Sequence, residues 1–311
     1  MNPAFSVIVF TTIAGAAQGL VVALAVALLA GRPFSSSFSE QALLVSGCLL
    51  VIGLGASFLH LGRPERAWRA AAMWRTSWLS REVIVLPAFI AVVGLGWLGL
   101  RSGGADQPVM SVLWSMSAIG LASLLWICTA MIYACLRFIE EWAHPLTIVN
   151  FTLTGLSSGL VLCSALAFFA NEPLLSVVAP AALISTLAAW VGRAMAVRRN
   201  GAIRHRSTLQ TAIGVDAPRL QQNSMGMSAG SFNTREFFHH ASASALRHVK
   251  RTAQLAGFIA PALLVILAML TGSAGAWVLA VAVQGIGLVA DRWLFFAQAK
   301  HPQNLYYQIV S

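Results

Sequence analysis

The 311 residues are 58% hydrophobic and only 10% charged, with a mean hydropathy of +0.76. Soluble domains carry about 25% charged residues, so the composition argues against a soluble fold and for an integral membrane protein. The net charge of +10, from 20 Lys+Arg against 10 Asp+Glu, would suggest nucleic acid on a soluble chain; on a membrane chain, loop cations first report topology.

Taken in chain order, eight runs reach the roughly 20 apolar residues that a spanning helix needs: 5–30, 42–60, 83–101, 109–136, 147–170, 174–197, 253–271 and 275–298. They are continuous and do not alternate, which predicts helices and not barrel strands. The expected fold is all-α: a polytopic membrane protein with eight transmembrane helices in a bundle, one integral membrane domain over 1–311. The first run has no basic flank and is too long for a signal h-region, so it reads as a retained span. Small residues such as Gly155 and Gly159, or Gly285 and Gly287, would let helices approach closely.

Between the second and third runs lies HLGRPERAWRAAAMWRTSWLSRE, His60–Glu82, with five arginines, one histidine and two glutamates. Pro64 suits a first helical position, and RAWRAAAMWR reads as helix-like with Arg66 and Arg69 on one face. Its tryptophans and arginines are explained by interfacial anchoring and snorkelling, although that leaves so many charges unexplained. His60 ends one span and Glu82 opens the next. His60 reads either as a C-terminal cap favoured by the helix dipole or as a ligand. Glu82 reads either as a first-turn charge paired with Arg81 under a Ser80 cap, or as a partly buried acid.

Cys48, Cys128, Cys135 and Cys163 all sit in apolar runs without CxxC spacing, so no iron–sulfur or zinc site of the chain's own is expected. The connector 198–252 is the one sizeable extramembrane piece. Its centre, NSMGMSAGSFNTREFFHH, is too small for a core of its own, and loops of this length are functional or disordered. Exposed Phe232, Phe237 and Phe238 there favour docking of a soluble partner over a basic tether.

Eight spans put both termini on the side of connectors 2–3, 4–5 and 6–7, and 18 of the 20 Lys and Arg fall on that side. By the positive-inside rule that side is cytoplasmic, and the asymmetry accounts for the charge without nucleic acid. None of the seven histidines lies mid-span, which leaves a haem held between helices little support, with His60 and His144 the pair left open. A transporter would place titratable groups inside the bilayer; the candidates, Asp291 and Arg292, read as lying near the cytoplasmic face. His60 and Glu82 are the sharpest pair. A histidine and a carboxyl at the membrane boundary suit the oxygens of a quinone head and the protons it exchanges.

HLGRPERAWRAAAMWRTSWLSRE resembles the signature of membrane anchor subunits of the dimethyl sulfoxide reductase type, and DRWLFFAQAKHPQNLYY resembles that family's closing motif. The resemblance implies an anchor for two soluble partners, a molybdopterin catalytic subunit and an iron–sulfur electron-transfer subunit, with no haem. It implies exchange of electrons with a quinone, ubiquinone or menaquinone. The family's quinol-binding histidine and glutamate fall on His60 and Glu82, with Arg81 beside them. Arg63, Arg66, Arg69 and Arg75, with Phe232, Arg235 and Phe237 of the long connector, would form the docking surface. That connector is most similar to anchors of quinone-linked sulfite dehydrogenases, which face the cytoplasm of the bacterial inner membrane. The alternatives are a quinol-oxidising reductase anchor and a polytopic transporter.

Overall fold

The structure, a computed structural model, describes residues 1–59, 63–102, 108–224 and 237–306, without the side chains of Pro64 and of residues 108–110. The helices are α1 (Phe5–Leu29), α2 (Ser36–Phe58), α3 (Trp78–Arg101), α4 (Pro108–Ala134), α5 (Pro145–Phe169) and α6 (Leu175–Gly201). A five-residue α7 (Leu209–Ile213) precedes α8 (Ala243–Thr271) and α9 (Ala274–Ala297). All but α7 are long and apolar enough to cross a membrane, and no strand occurs among the described residues. The all-α, eight-span architecture expected from hydropathy is the one found.

Three helices begin five or more residues before their apolar runs, because caps and not hydropathy set helix starts. Ser35 accepts from Phe38 N–H and opens α2. Ser77, in extended geometry, accepts from Ser80 N–H and opens α3, so the cap is Ser77 and not Ser80. Ser242 opens α8 ten residues before the apolar stretch begins, and the intervening RHVKR turns are helix outside the apolar run. Each such cap contributes about 1 kcal/mol. In α8, Pro261 has no N–H for Gly257, and the helix widens into a π turn at Leu255–Ile259.

α1 is the central helix: 67% of its apolar window is buried, against 22% for α3 at the rim. Gly15 and Gly19 of α1 face Gly155 and Gly159 of α5, and a Cβ on Gly159 would overlap the backbone of Gly19. Gly287 of α9 meets the backbone of Gly257 in the same way. Such contacts supply the close packing that lipid, as apolar as a leucine side chain, does not drive by itself. Gly94 and Gly285 face open space instead. Polar side chains add bonds across the middle of the bundle: Gln284 donates to Ser157 at 2.8 Å, and Ser157 shares a proton with Thr186 at 2.7 Å.

The two ends of the bundle are separate. At one, Ser35 donates to Glu172, joining connectors 1–2 and 5–6. At the other, the Met1 amine donates to Ala299 O at 3.2 Å, and Arg199 in the last turn of α6 and Arg206 of connector 6–7 donate to Glu140 of connector 4–5. The first residue and the segment that follows α9 therefore lie with the cation-rich connectors.

Candidate functional site

Glu82 lies in the second turn of α3, one turn deeper than an opening residue, because the helix starts at Trp78. Its side chain points into the bundle and is buried, 6% exposed. There it accepts a hydrogen bond from Thr129 of α4. The expected pairing with Arg81 is not what the structure contains. Arg81 instead donates from Nε to Trp74 O and from Nη2 to Arg75 O, both at 2.9 Å, with its guanidinium 4.2 Å above the Trp78 ring. It thereby ties the end of the charged connector to the start of α3, while its neighbour in sequence faces the interior. His60 lies outside the described residues, so its relation to Glu82 is not part of the structure.

The connector over this site is a 3-10 segment, Pro64–Met73, with Pro64 at its first position. Arg63, Arg66, Arg69 and Arg75 are all exposed, and the Arg66–Glu65 contact at 3.8 Å, between exposed side chains, contributes little. Phe232 and Arg235 lie outside the described residues. Phe237, half-buried, stacks on His301 at 4.1 Å and ties the connector to the C-terminal segment. The expectation of an exposed phenylalanine fails for Phe238, which is buried, 7% exposed. Phe237, Phe238, His239 and His240 line one wall of an ≈ 850 Å³ cavity closed by Phe138 and Lys300.

A second polar centre lies between helices at the same end of the bundle. Arg193 and Asp291, each with a 3% exposed side chain, form an ion pair at 2.5 Å between α6 and α9. Next to it, Arg292 donates to Thr154 at 2.7 Å and lies 3.8 Å over the Phe151 ring. Asp291 and Arg292 thus lie in the last two turns of α9, at the end of the bundle where sequence places them, and are buried between helices there. Arg193 and Arg292, two of the 18 cations on that side, are removed from the surface. The signal was available: Asp291 and Arg193 each interrupt an apolar stretch within the last turns of a span, and intramembrane charges pair with one another. Pairing itself, between residues 98 apart, was not visible. The same charges also supply what a transporter reading asks for, although both belong to one neutralised pair.

Tyr133 connects the two centres. It follows Thr129 by one turn on the same face of α4. Its ring packs against Trp142, Phe151, Phe295 and Phe296, and the Phe151 ring on which it stacks also carries the Arg292 guanidinium. Trp142 Nε1 donates to Phe295 O at 3.1 Å, fixing the aromatic cluster. At the surface, His144 caps α5 by accepting from Leu146 N–H at 3.1 Å. Burial, and then the Arg199 charge, push its pKa below the usual 6.5. Among the described residues, no three of His, Cys, Asp and Glu converge as a metal site.

Comparison with known proteins adds three findings. A family model described as the DMSO reductase anchor subunit (DmsC) matches residues 1–228. The C subunit of the sulfite dehydrogenase of Allochromatium vinosum is 46% identical over 325 aligned positions, covering 100% of both proteins. Two anaerobic dimethyl sulfoxide reductase proteins of Escherichia coli K12, the C chain and the YnfH chain, are 29% and 32% identical. Those alignments cover 50% and 45% of this protein and 54% and 48% of theirs. The closing motif around Asp291 lies beyond the family-model match, but within the full-length alignment.

Proposed function

The chain belongs to the DMSO reductase anchor subunit family, and on that premise we propose that it is the membrane anchor and quinone-binding subunit of a sulfite-oxidising complex. The observation that carries this reading is the full-length similarity to a sulfite dehydrogenase subunit. The burial of Glu82 beneath an exposed, arginine-rich connector supports the placement of the site. Sulfite would be oxidised in a molybdopterin subunit and its electrons passed through an iron–sulfur subunit docked on Arg63, Arg66, Arg69 and Arg75, with Phe232, Arg235 and Phe237 at the margin. Quinone, ubiquinone or menaquinone, is the substrate of the anchor itself.

In this reading His60 and Glu82 bind the quinone oxygens, and Arg81 is a positioning residue that holds the connector against α3. A buried carboxyl with one hydroxyl partner suits a quinone head, because it can present a proton to the quinone carbonyl oxygen or an acceptor to the quinol hydroxyl. The 18-to-2 distribution of Lys and Arg supports a bacterial cytoplasmic-membrane protein, residues 1–311 forming one membrane domain, with both termini and connector 198–252 in the cytoplasm.

The test uses the purified complex. His60→Ala or Glu82→Gln should abolish quinone reduction while reduction of an artificial dye by sulfite continues. Unchanged quinone kinetics in both variants would remove the site from this connector. The half-length similarity to dimethyl sulfoxide reductase proteins favours a second reading, in which the same site oxidises quinol; a complex that reduces dimethyl sulfoxide with quinol but does not oxidise sulfite decides for it.

A further inference from the structure

Three buried polar atoms have no hydrogen-bond partner among the described residues and belong to residues that line one small cavity. They are Glu141 Oε2 from connector 4–5, Asn150 Oδ1 from α5 and Arg193 Nη2 from α6. Asp291 and Arg292 complete the inner wall. The cavity has about 10 Å³ of room, which matches one water molecule. The chemistry matches too: a water donates twice and accepts once, and here two acceptors face one donor.

Polar groups continue on both sides of this cavity. Outward, Glu141 Oε1 lies 3.6 Å from Nε2 of His205, a side chain 30% exposed. Inward, Arg193 holds Asp291, Arg292 holds Thr154 over the Phe151 ring, and Tyr133 stacks on that ring one turn from Thr129, whose hydroxyl donates to Glu82. The line therefore runs from the surface that carries Met1 to the buried carboxyl of the proposed quinone site, through two connectors and four helices to α3.

We propose that this line is the proton route to the quinone, with Glu141 as its entrance, a water held by Glu141, Asn150 and Arg193 as its first internal step, and Asp291 and Tyr133 as its inner carriers. The proposal rests on the reading of Glu82 as a quinone ligand. Reduction of the quinone takes two electrons from the reduced iron–sulfur subunit and two protons; each carbonyl oxygen gains one O–H bond as the ring becomes the hydroquinone. Sulfite oxidation to sulfate consumes one water and releases two electrons and two protons, so the overall reaction balances. The arginines stay charged throughout. They orient the carboxylates and the water, while Glu141, Asp291 and the Tyr133 hydroxyl exchange protons.

The charged and titratable groups facing Glu141 are His205, His144, Arg199, Arg193 and the Met1 amine; those facing Asp291 are Arg193 and Arg292. The experiment compares Glu141→Gln, Asn150→Leu and Tyr133→Phe with wild type in the intact purified complex. The reaction followed is sulfite-driven reduction of a short-chain ubiquinone analogue between pH 6 and 9, with dye reduction as the control for assembly and electron delivery. Glu141→Gln is near isosteric and its Oε2 makes no bond among the described residues, so folding is not at issue for it.

The expected result is a fall in kcat of about ten- to a hundredfold, within and just below what a positioned proton-transfer group contributes. The fall should steepen toward high pH, leave the KM for quinone unchanged, and be reversed for Glu141→Gln by a small membrane-permeant weak acid such as azide. A fall that is independent of pH and not rescued by the acid means a structural role and overturns the proposal, as does wild-type kcat in Glu141→Gln and Tyr133→Phe. If Glu82→Gln itself is unaffected, the quinone-site reading has failed; if Glu82→Gln is slow while Glu141→Gln and Asn150→Leu are normal, only the route has failed.

Discussion

Replacing Asp291 by leucine tests the energetics of the interior directly. The substitution leaves the Arg193 guanidinium, 3% exposed and 2.5 Å from its present partner, buried with no counter-charge and with Arg292 beside it. Breaking one side of a buried pair costs about 3–5 kcal/mol. An interhelical hydrogen bond in a membrane protein averages only about 0.6 kcal/mol, so the magnitude separates a desolvated charge from an ordinary polar contact. At about 1.36 kcal/mol per factor of ten, the folded-to-unfolded ratio should fall by roughly two to nearly four powers of ten. Replacing both residues, Arg193→Met with Asp291→Leu, removes the stranded Arg193 charge and should recover part of the loss, with Arg292 still lacking its carboxylate neighbour. The assay is reversible unfolding of the purified protein in mixed detergent, followed by tryptophan fluorescence. The reasoning is refuted if the single variant lies within about 1 kcal/mol of wild type, or if the double variant is no more stable than the single one.

Two further outcomes follow from packing and burial. Gly159→Val drives its Cβ into the Gly19 backbone, which has no rotamer to yield, so α1 and α5 must separate at a cost of about 1–3 kcal/mol; thermal unfolding in detergent should show it, while Gly285→Ala, with nothing within 4 Å, should be neutral or stabilising by up to about 1 kcal/mol. His301, stacked on Phe237, has its pKa lowered from 6.5 chiefly by burial, so the folded state binds fewer protons than the unfolded one. The stack's contribution is thus complete above pH 6.5 and is lost as pH falls through the depressed folded value. Proteolysis of connector 198–252 should accelerate on acidification from about pH 7 to about pH 5, and His301→Phe should remove that acceleration.

Much of the site was legible from local pattern. The charged connector stands out because it separates two apolar runs, and Glu82 because a carboxylate beside VIVLP is costly unless it has a purpose or a partner. The identity of that partner was not legible. Thr129 is 47 residues away, and a lone threonine in an apolar helix carries no signal that distinguishes a carboxyl partner from a backbone-bonded hydroxyl such as Ser46. Arg81 shows the opposite problem: adjacency to Glu82 suggested an ion pair, but consecutive helical residues point about 100° apart, and the guanidinium found carbonyls of the preceding turn.

The class, the number of spans and the sidedness of charge follow from the order of amino acids alone, because the bilayer imposes a length and a polarity on each segment independently of its neighbours. Helix starts also have a local origin, in short-range capping chemistry that hydropathy averages away. Which intramembrane charges neutralise one another is settled at the level of the packed bundle. Arg193, Asp291 and Arg292 look alike on a hydropathy trace whether they face water or each other, and the distinction is made by how α5, α6 and α9 cross. The same crossing turned three ordinary polar residues, Glu141, Asn150 and Arg193, into the walls of one water-sized cavity, since convergence in space belongs to the assembled helices and not to any one of them.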